Sequence, residues 1–277
     1  MTAPLRSRYA TALSQFIAST KSFEILTSTA PQHPPPQVLY VLDSSFNPPT
    51  VAHLHIASAP FVEKPSLIPA RLLLLLATQN ADKPSKPASF EDRLVMMERF
   101  AHDLQSHLMT NTPQGIDIAV TKKPYFVDKA VAIDASGAYP RHLPQTHLIG
   151  YDTLIRIFDP KYYPPDHTLK PLEPFLARNR LLVTVRPNDE WGGGEQQRAF
   201  LAGLLANGRL EKEGGEAEWV DRIHFVEGLR NRPVSSTRAR AAACKNGGGR
   251  RDLEWLVPSG VREYLLEENP YAAAAGL

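Results

Sequence analysis

The chain has 277 residues, of which 43% are hydrophobic and 22% are charged, and 31 lysines and arginines face 29 aspartates and glutamates for a formal net charge of +2. These values are typical of a globular protein and exclude a disordered, collagenous or coiled-coil chain. The near-neutral charge also argues against a protein that covers duplex nucleic acid with a basic face, so no nucleic-acid partner is expected.

Residues 1–36 are predicted to be an N-terminal helical extension that ends at a run of prolines. Residues 37–268 are predicted to form a single domain, and residues 269–277 a frayed C-terminal tail. The N-terminus lacks the apolar region of a secretory signal. Its Arg, Ser and Thr content is compatible with a mitochondrial presequence, although an amphipathic first helix is the favoured interpretation.

Within the domain, short apolar runs alternate with longer segments of helical pattern. The predicted strands cover 37–43, 71–77, 116–121, 146–149, 181–185 and 223–226. The predicted helices cover 51–59, 89–107, 127–135, 153–158, 195–207, 237–245 and 259–267. Such alternation, with strands apolar on consecutive positions, predicts an α/β fold: a Rossmann-like parallel sheet with helices on both faces. The proline-rich segment 160–174 is predicted to be a loop beside this sheet and a candidate lid.

The single cysteine, Cys244, excludes an internal disulfide and a thiolate metal cage, and it favours a reduced, intracellular protein. The longest apolar run, 72–77, is far shorter than the roughly 20 residues of a membrane helix. We therefore expect no membrane partner and a cytoplasmic or nuclear location. A homo-oligomer is compatible with the sequence.

The first candidate site follows the first strand of the predicted domain. Thr50 and His53 are three residues apart, so they share one face of a helix start. Free backbone N–H groups and the helix dipole make such a start favourable for a phosphate. The alternative is a capped helix with a structural histidine.

The second candidate site follows the last predicted strand. Ser235, Ser236 and Thr237 open a helix, where each hydroxyl can cap the helix or donate to phosphate oxygens. Arg240 lies on the face of Ser236 and Thr237 and could grip a phosphate chain, whereas Arg238 points away. The alternative is a capped helix with two solvated arginines.

Two further polar segments follow predicted strands. Lys83 and Lys86 occupy a polar loop and Arg93 lies on the next helix, where cations could neutralise an anionic ligand. Gly150 would allow a ligand to approach the backbone, and Asp152 could accept hydrogen bonds from a ribose. The alternatives are an ordinary solvated loop and a capping aspartate. The sequence has neither a P-loop nor a G-x-G-x-x-G fingerprint, so phosphate binding would depend on His, hydroxyls, Lys and Arg.

Taken together, these segments resemble the nucleotidylyltransferase superfamily, and specifically nicotinamide mononucleotide adenylyltransferases of a divergent, fungal-like eukaryotic branch. SSFNPPTVAH resembles the family's G-x-F-x-P-[HT]-x-x-H loop, and VSSTRAR its I-S-S-T-x-x-R motif. LIGYD resembles the G-x-D element, NADKPSK with Arg93 the lysine-bearing loop, and LVPSGVREYL the closing helix. The sequence departs from the pattern at Ser44, where the family usually has glycine, and at Tyr163, where it has tryptophan.

The resemblance implies transfer of AMP from ATP to nicotinamide mononucleotide, which gives NAD and pyrophosphate by direct attack. It implies catalytic roles for His53, Thr50 and Arg240. The residues implied for ATP are Ser45, Phe46, Gly150, Asp152, Ser235, Ser236 and Thr237; those implied for the acceptor are Ser44, Lys83, Lys86, Tyr163 and Arg93. Mg²⁺ is expected to arrive with ATP, with no protein metal site. The alternatives are another nucleotidyl transfer, ATP hydrolysis, or a catalytically weak nucleotide-binding scaffold.

Overall fold

The structure is a computed structural model that describes residues 2–62, 68–79, 88–109, 112–186, 192–229, 233–245 and 249–272. The described residues form seven strands: β1 (Phe23–Ser28), β2 (Val38–Asp43), β3 (Ala70–Ala77), β4 (Ile116–Thr121), β5 (Gln145–Gly150), β6 (Arg180–Thr184) and β7 (Ile223–Val226). The helices are α1 (Thr2–Ala18), α2 (Val51–Val62), α3 (Phe90–Leu108), α4 (Phe126–Ala135), α5 (Tyr151–Ile157), α6 (Glu173–Leu176), α7 (Gly194–Leu205), α8 (Arg209–Lys212), α9 (Ser236–Ala243), α10 (Gly249–Leu256) and α11 (Ser259–Glu268).

The strands form one sheet in the order β1-β4-β3-β2-β5-β6-β7. All neighbouring pairs from β4 to β7 are parallel, and β1 pairs antiparallel with β4. The chain runs from β2 outward to β4, then returns to β5 on the other side of β2. The strand order therefore reverses between β2 and β5, and the carboxyl ends of these two strands border the crevice where open α/β sheets bind ligands.

Helices cover both faces of the sheet, as the alternating apolar runs predicted. Leu42, Leu72 and Leu74 point to one face, where they pack with α1, α2, α3 and the C-terminal helices; we call it the α3 face. Val41 and Leu73 point to the opposite face, which α4 covers and which we call the α4 face. A further cluster on the α4 face joins β5 and β6 to α5, α6 and α8. The predicted α/β class with a parallel sheet is confirmed.

The N-terminal and C-terminal segments differ from the sequence predictions. The segment 1–36 is helical only to Ala18, and β1 then joins the sheet, because the unpaired edge of β4 offers main-chain hydrogen bonds. In the tail predicted to be frayed, Tyr271 is fully buried and belongs to the core of the α3 face. Residues 273–277 lie outside the described part. Helix α10, which was not predicted, packs against α9.

The segment 160–174 contains two short 3-10 turns, Pro160–Tyr162 and Lys170–Leu172, and its Leu169 and Leu172 are completely buried. This loop is therefore anchored in the core of the α4 face. Across the described residues, no helix has the length and apolar character needed to cross a bilayer.

Candidate active site

The loop between β2 and α2 holds His53 by three hydrogen bonds. The backbone N–H of Thr50 donates to Nδ1 at 3.1 Å, and Thr50 Oγ1 lies 2.9 Å from the same nitrogen. Ser44 Oγ lies 2.9 Å from Nε2. Thr50 and His53, which were predicted to share one face of the helix start, are thus in direct contact.

Phe46 fixes the shape of this loop. Its φ of 45° lies in the left-handed region, and its fully buried ring packs against His53 and Phe100, with centroids 5.6 and 6.3 Å away. Phe46 therefore anchors the loop in the core, while Ser45 beside it is exposed.

The imidazole of His53 is neutral at physiological pH. Burial, followed by the positive charge of Arg186, lowers the pKa of His53 from 6.5 to about 4. A backbone N–H can only donate, so Nδ1 accepts from Thr50 and the ring proton resides on Nε2. His53 consequently presents an Nε2–H donor on the side of Ser44.

The start of α9 contacts the loop between β2 and α2 directly. Ser236 Oγ donates to the Pro48 carbonyl at 2.9 Å, and Arg240 Nη1 donates to the Asn47 carbonyl at 2.8 Å. Arg240 Nη2 also donates to Thr237 Oγ1 at 3.1 Å. Two turns almost two hundred residues apart thus form one site, because β2 lies in the middle of the sheet and α9 packs over its carboxyl end.

Residues at the start of α9 differ in what they contact. Ser235 is the N-cap, and its side chain accepts from the backbone N–H of Arg238 at 3.2 Å. The Arg238 side chain is exposed, whereas Arg240 is half-buried against the loop. The two arginines therefore differ in their surroundings: Arg240 contacts Thr237 and the loop, and Arg238 is exposed.

The carboxyl end of β5 forms the second side of the crevice. Gly150 is the N-cap of α5, and a Cβ there would stand 2.7 Å from Asp152 Oδ1 and 3.4 Å from Arg186 Nε. Arg186 Nη2 lies 3.3 Å from Asp152 Oδ1. Glycine at this position therefore leaves the room that the Asp152 carboxylate occupies.

Two described residues predicted to bind the acceptor, Arg93 and Tyr163, lie in different environments. Arg93 is buried; its Nε donates to the Ala88 carbonyl at 3.1 Å, and its guanidinium stacks over Phe90. Burial lowers the pKa of Arg93, and the nearby charge of Arg240 lowers it further. Tyr163 packs on the α4-face core and donates its hydroxyl to the Ile157 carbonyl at 2.7 Å. The predicted Lys83 and Lys86 lie outside the described residues.

Two residues that contact this site, Arg186 and Tyr271, were not identified from the sequence. Arg186 follows β6, and a systematic inspection of the residues after each strand would have found it. Tyr271 donates its hydroxyl to Asn47 Oδ1 at 2.9 Å, and no local signal in the sequence indicated that contact.

Among the described residues, no group of three or more His, Cys, Asp or Glu side chains could hold a metal ion. Two described carboxylates at the carboxyl ends of β2 and β5 already have basic partners: Asp43 pairs with Lys129, and Asp152 with Arg186. The site as described is therefore rich in donors, which suits an anionic ligand.

Comparison with known proteins gives a match over nearly the whole chain. A Schizosaccharomyces pombe protein named "Putative nicotinamide mononucleotide adenylyltransferase" is 33% identical over 269 residues, which is 95% of this chain and 97% of the relative. No protein-family model matches the chain.

Two solved structures are similar in fold. The Plasmodium falciparum nicotinic acid mononucleotide adenylyltransferase complexed with NaAD aligns with a TM-score of 0.51 and 14% identity, over 85% of this chain and 97% of that chain. The same enzyme complexed with APC aligns with a TM-score of 0.51 and 13% identity, over the same shares. At such identities the likeness concerns the fold alone.

Proposed function

Because the chain belongs to the nicotinamide mononucleotide adenylyltransferase family, it is a nucleotidyltransferase of NAD synthesis, and we propose that it transfers AMP from ATP to nicotinamide mononucleotide. The observation that carries the proposal is the contact between two distant turns, the loop of His53 and the helix start of Arg240. Together they supply donors for both ends of one triphosphate.

The proposed reaction is a direct displacement. A phosphate oxygen of the mononucleotide attacks the α-phosphorus of ATP and forms a new P–O bond. The bond from the α-phosphorus to the oxygen that bridges to the β-phosphate breaks, and pyrophosphate leaves with that electron pair. The protein positions the two substrates and stabilises charge, and it forms no covalent intermediate.

His53 and Thr50 are assigned to the α-phosphate. A neutral imidazole with its proton on Nε2 is a hydrogen-bond donor, which is the function needed beside phosphate oxygens that gain negative charge. Arg240, Ser236 and Thr237 are assigned to the β- and γ-phosphates and to the departing pyrophosphate. The half-buried guanidinium of Arg240, already oriented by Asn47 and Thr237, supports this assignment.

The remaining assignments follow the family resemblance. Gly150, Asp152 and the exposed Ser45 would border the adenosine, and Ser235 would cap α9 below the phosphates. Lys83, Lys86 and Arg93 would neutralise the acceptor phosphate, and Tyr163 would adjoin the acceptor base. Magnesium is proposed to arrive as part of Mg–ATP, with phosphates and water as its main ligands.

The decisive assay supplies purified protein with Mg–ATP and either nicotinamide mononucleotide or nicotinic acid mononucleotide, and identifies the products by mass. We expect a dinucleotide and one pyrophosphate per turnover, with the amide-bearing acceptor preferred. Release of free phosphate without a dinucleotide would contradict transfer and indicate ATP hydrolysis. A dinucleotide formed from the acid acceptor alone would contradict the proposed substrate.

A further inference from the structure

Ser44 contacts the one ring nitrogen of His53 that Thr50 does not occupy. Its Oγ lies 2.9 Å from Nε2. The family that this chain resembles usually has glycine at this position, so the hydroxyl is a feature of this chain. Neither the predicted acceptor role of Ser44 nor the proposed role of His53 accounts for the contact.

The backbone fixes the direction of the Ser44 side chain. The N–H of Ser44 donates to the Leu75 carbonyl at 3.2 Å, which extends the β2–β3 pairing by one residue. Side chains alternate along a strand. Asp43 points to the α4 face, where it pairs with Lys129, so Ser44 points to the α3 face, where α2 presents His53.

The hydrogen-bond directions leave the Ser44 hydroxyl proton available. The N–H of Thr50 donates to Nδ1, so the proton of the neutral ring is on Nε2 and is donated to Ser44 Oγ. Oγ is thereby an acceptor, and its own O–H remains to be donated. Within the described residues, the Ser44 hydroxyl makes no hydrogen bond other than the one with His53.

We propose that Ser44 is a catalytic residue that donates its hydroxyl hydrogen to a non-bridging oxygen of the reacting α-phosphate, while His53 Nε2–H polarises that hydroxyl. The inference rests on the proposed function, since it names the atom through which His53 acts. No proton is transferred in this step. A donor that itself accepts a hydrogen bond is strengthened, and it is already oriented before charge builds up on the phosphate oxygens.

The first test compares Ser44→Ala, Ser44→Thr and Ser44→Gly in steady-state kinetics of whichever nucleotidyl transfer the protein catalyses. Ser44→Ala should lower kcat by about 10- to 100-fold with KM for ATP nearly unchanged, because the lost donor acts in the transition state. Ser44→Thr keeps the hydroxyl and should stay within about threefold of the wild type. Ser44→Gly should fall between the two, because it leaves space for a phosphate oxygen to reach Nε2–H directly.

The order of activities distinguishes a catalytic hydroxyl from a packing role. A Ser44→Ala variant with wild-type kcat, or a Ser44→Gly variant at or above wild type, would overturn the proposal. The double variant with His53→Ala provides a second check. If the two residues act as a unit, removing the hydroxyl should have a smaller effect once the imidazole is gone, and fully multiplicative effects would contradict the coupling.

A second measurement does not depend on turnover. NMR of ¹⁵N-histidine-labelled full-length protein should show His53 with its proton on Nε2, and Mg–ATP should shift that resonance in the wild type more than in Ser44→Ala. A proton on Nδ1, or no shift at saturating Mg–ATP, would refute the inference. The product-mass assay on the wild type decides the proposed function separately, so the two failures are distinguishable.

Discussion

Replacing Arg240 with alanine should impair the use of ATP far more than replacing Arg238. A guanidinium has five N–H donors, and Arg240 uses one on the Asn47 carbonyl and one on Thr237 Oγ1, which leaves three for phosphate oxygens. Each hydrogen bond to a charged partner contributes about 1.5–3 kcal/mol. The loss of one such contact would lower kcat/KM for ATP by about 10- to 100-fold.

Arg238→Ala is the matched control, because it removes the same charge from the same helix at a position where the side chain is exposed. We expect kcat/KM for ATP to change by less than about threefold, since the interaction of a solvent-exposed charge with the ligand is largely screened by salt. Arg240→Lys keeps the charge but loses the planar fork, and it should lie between the two. Initial rates at varied Mg–ATP, with thermal melts to confirm folding, measure these effects. Equal losses for Arg238→Ala and Arg240→Ala would refute the assignment of Arg240 to the triphosphate.

Three further outcomes are expected. His53→Ala should lower kcat by about two to four orders of magnitude without unfolding the protein, and near-normal turnover of the purified variant would remove His53 from the mechanism. Asp117→Ala should destabilise the fold by about 3–5 kcal/mol in urea unfolding, because it leaves the fully buried guanidinium of Arg71 without its ion-pair partner, and a loss below about 1 kcal/mol would contradict this. Stability should fall as the pH drops from about 6.5 to 4.5, because burial lowers the pKa of His53 to about 4 and that of His147 to about 3, so the unfolded chain binds protons that the folded protein excludes. Each histidine accounts for a loss of at most about 3 kcal/mol of unfolding free energy across this window. The charges of Arg186 and Lys129 lower the pKa of His53 and of His147, respectively, in the same direction as burial. An unfolding free energy that stays constant from pH 7 to 4.5 would show that neither ring is held neutral.

Local patterns were sufficient to predict much of the sheet. Residues 72–77 are apolar on consecutive positions, and β3 is buried on both faces. The helix predicted over 89–107 is present as α3, and Ser89 caps it by accepting from the N–H of Asp92. Both features depend on residues only a few positions away in the chain, and they could therefore be predicted from the sequence alone.

The contacts between Thr50 and His53, and between Thr237 and Arg240, were also predictable, because helical spacing determines which side chains share a face. Other features had no local signal. The strand β1 forms because the edge of β4 is free to pair with it, and a short run such as FEILTS does not reveal that partner.

The sequence by itself determined the α/β class, the two turns that we propose to bind phosphate and the residues on each of their faces, because hydrophobic period, capping and helical spacing act over short distances. The tertiary structure alone decided that Arg240 contacts the loop of His53, that Tyr271 of the C-terminal segment donates to Asn47, and that burial, with the charge of Arg186, lowers the pKa of His53. These contacts depend on strand order and helix packing, which bring together residues from opposite ends of the chain and bury them in a common environment.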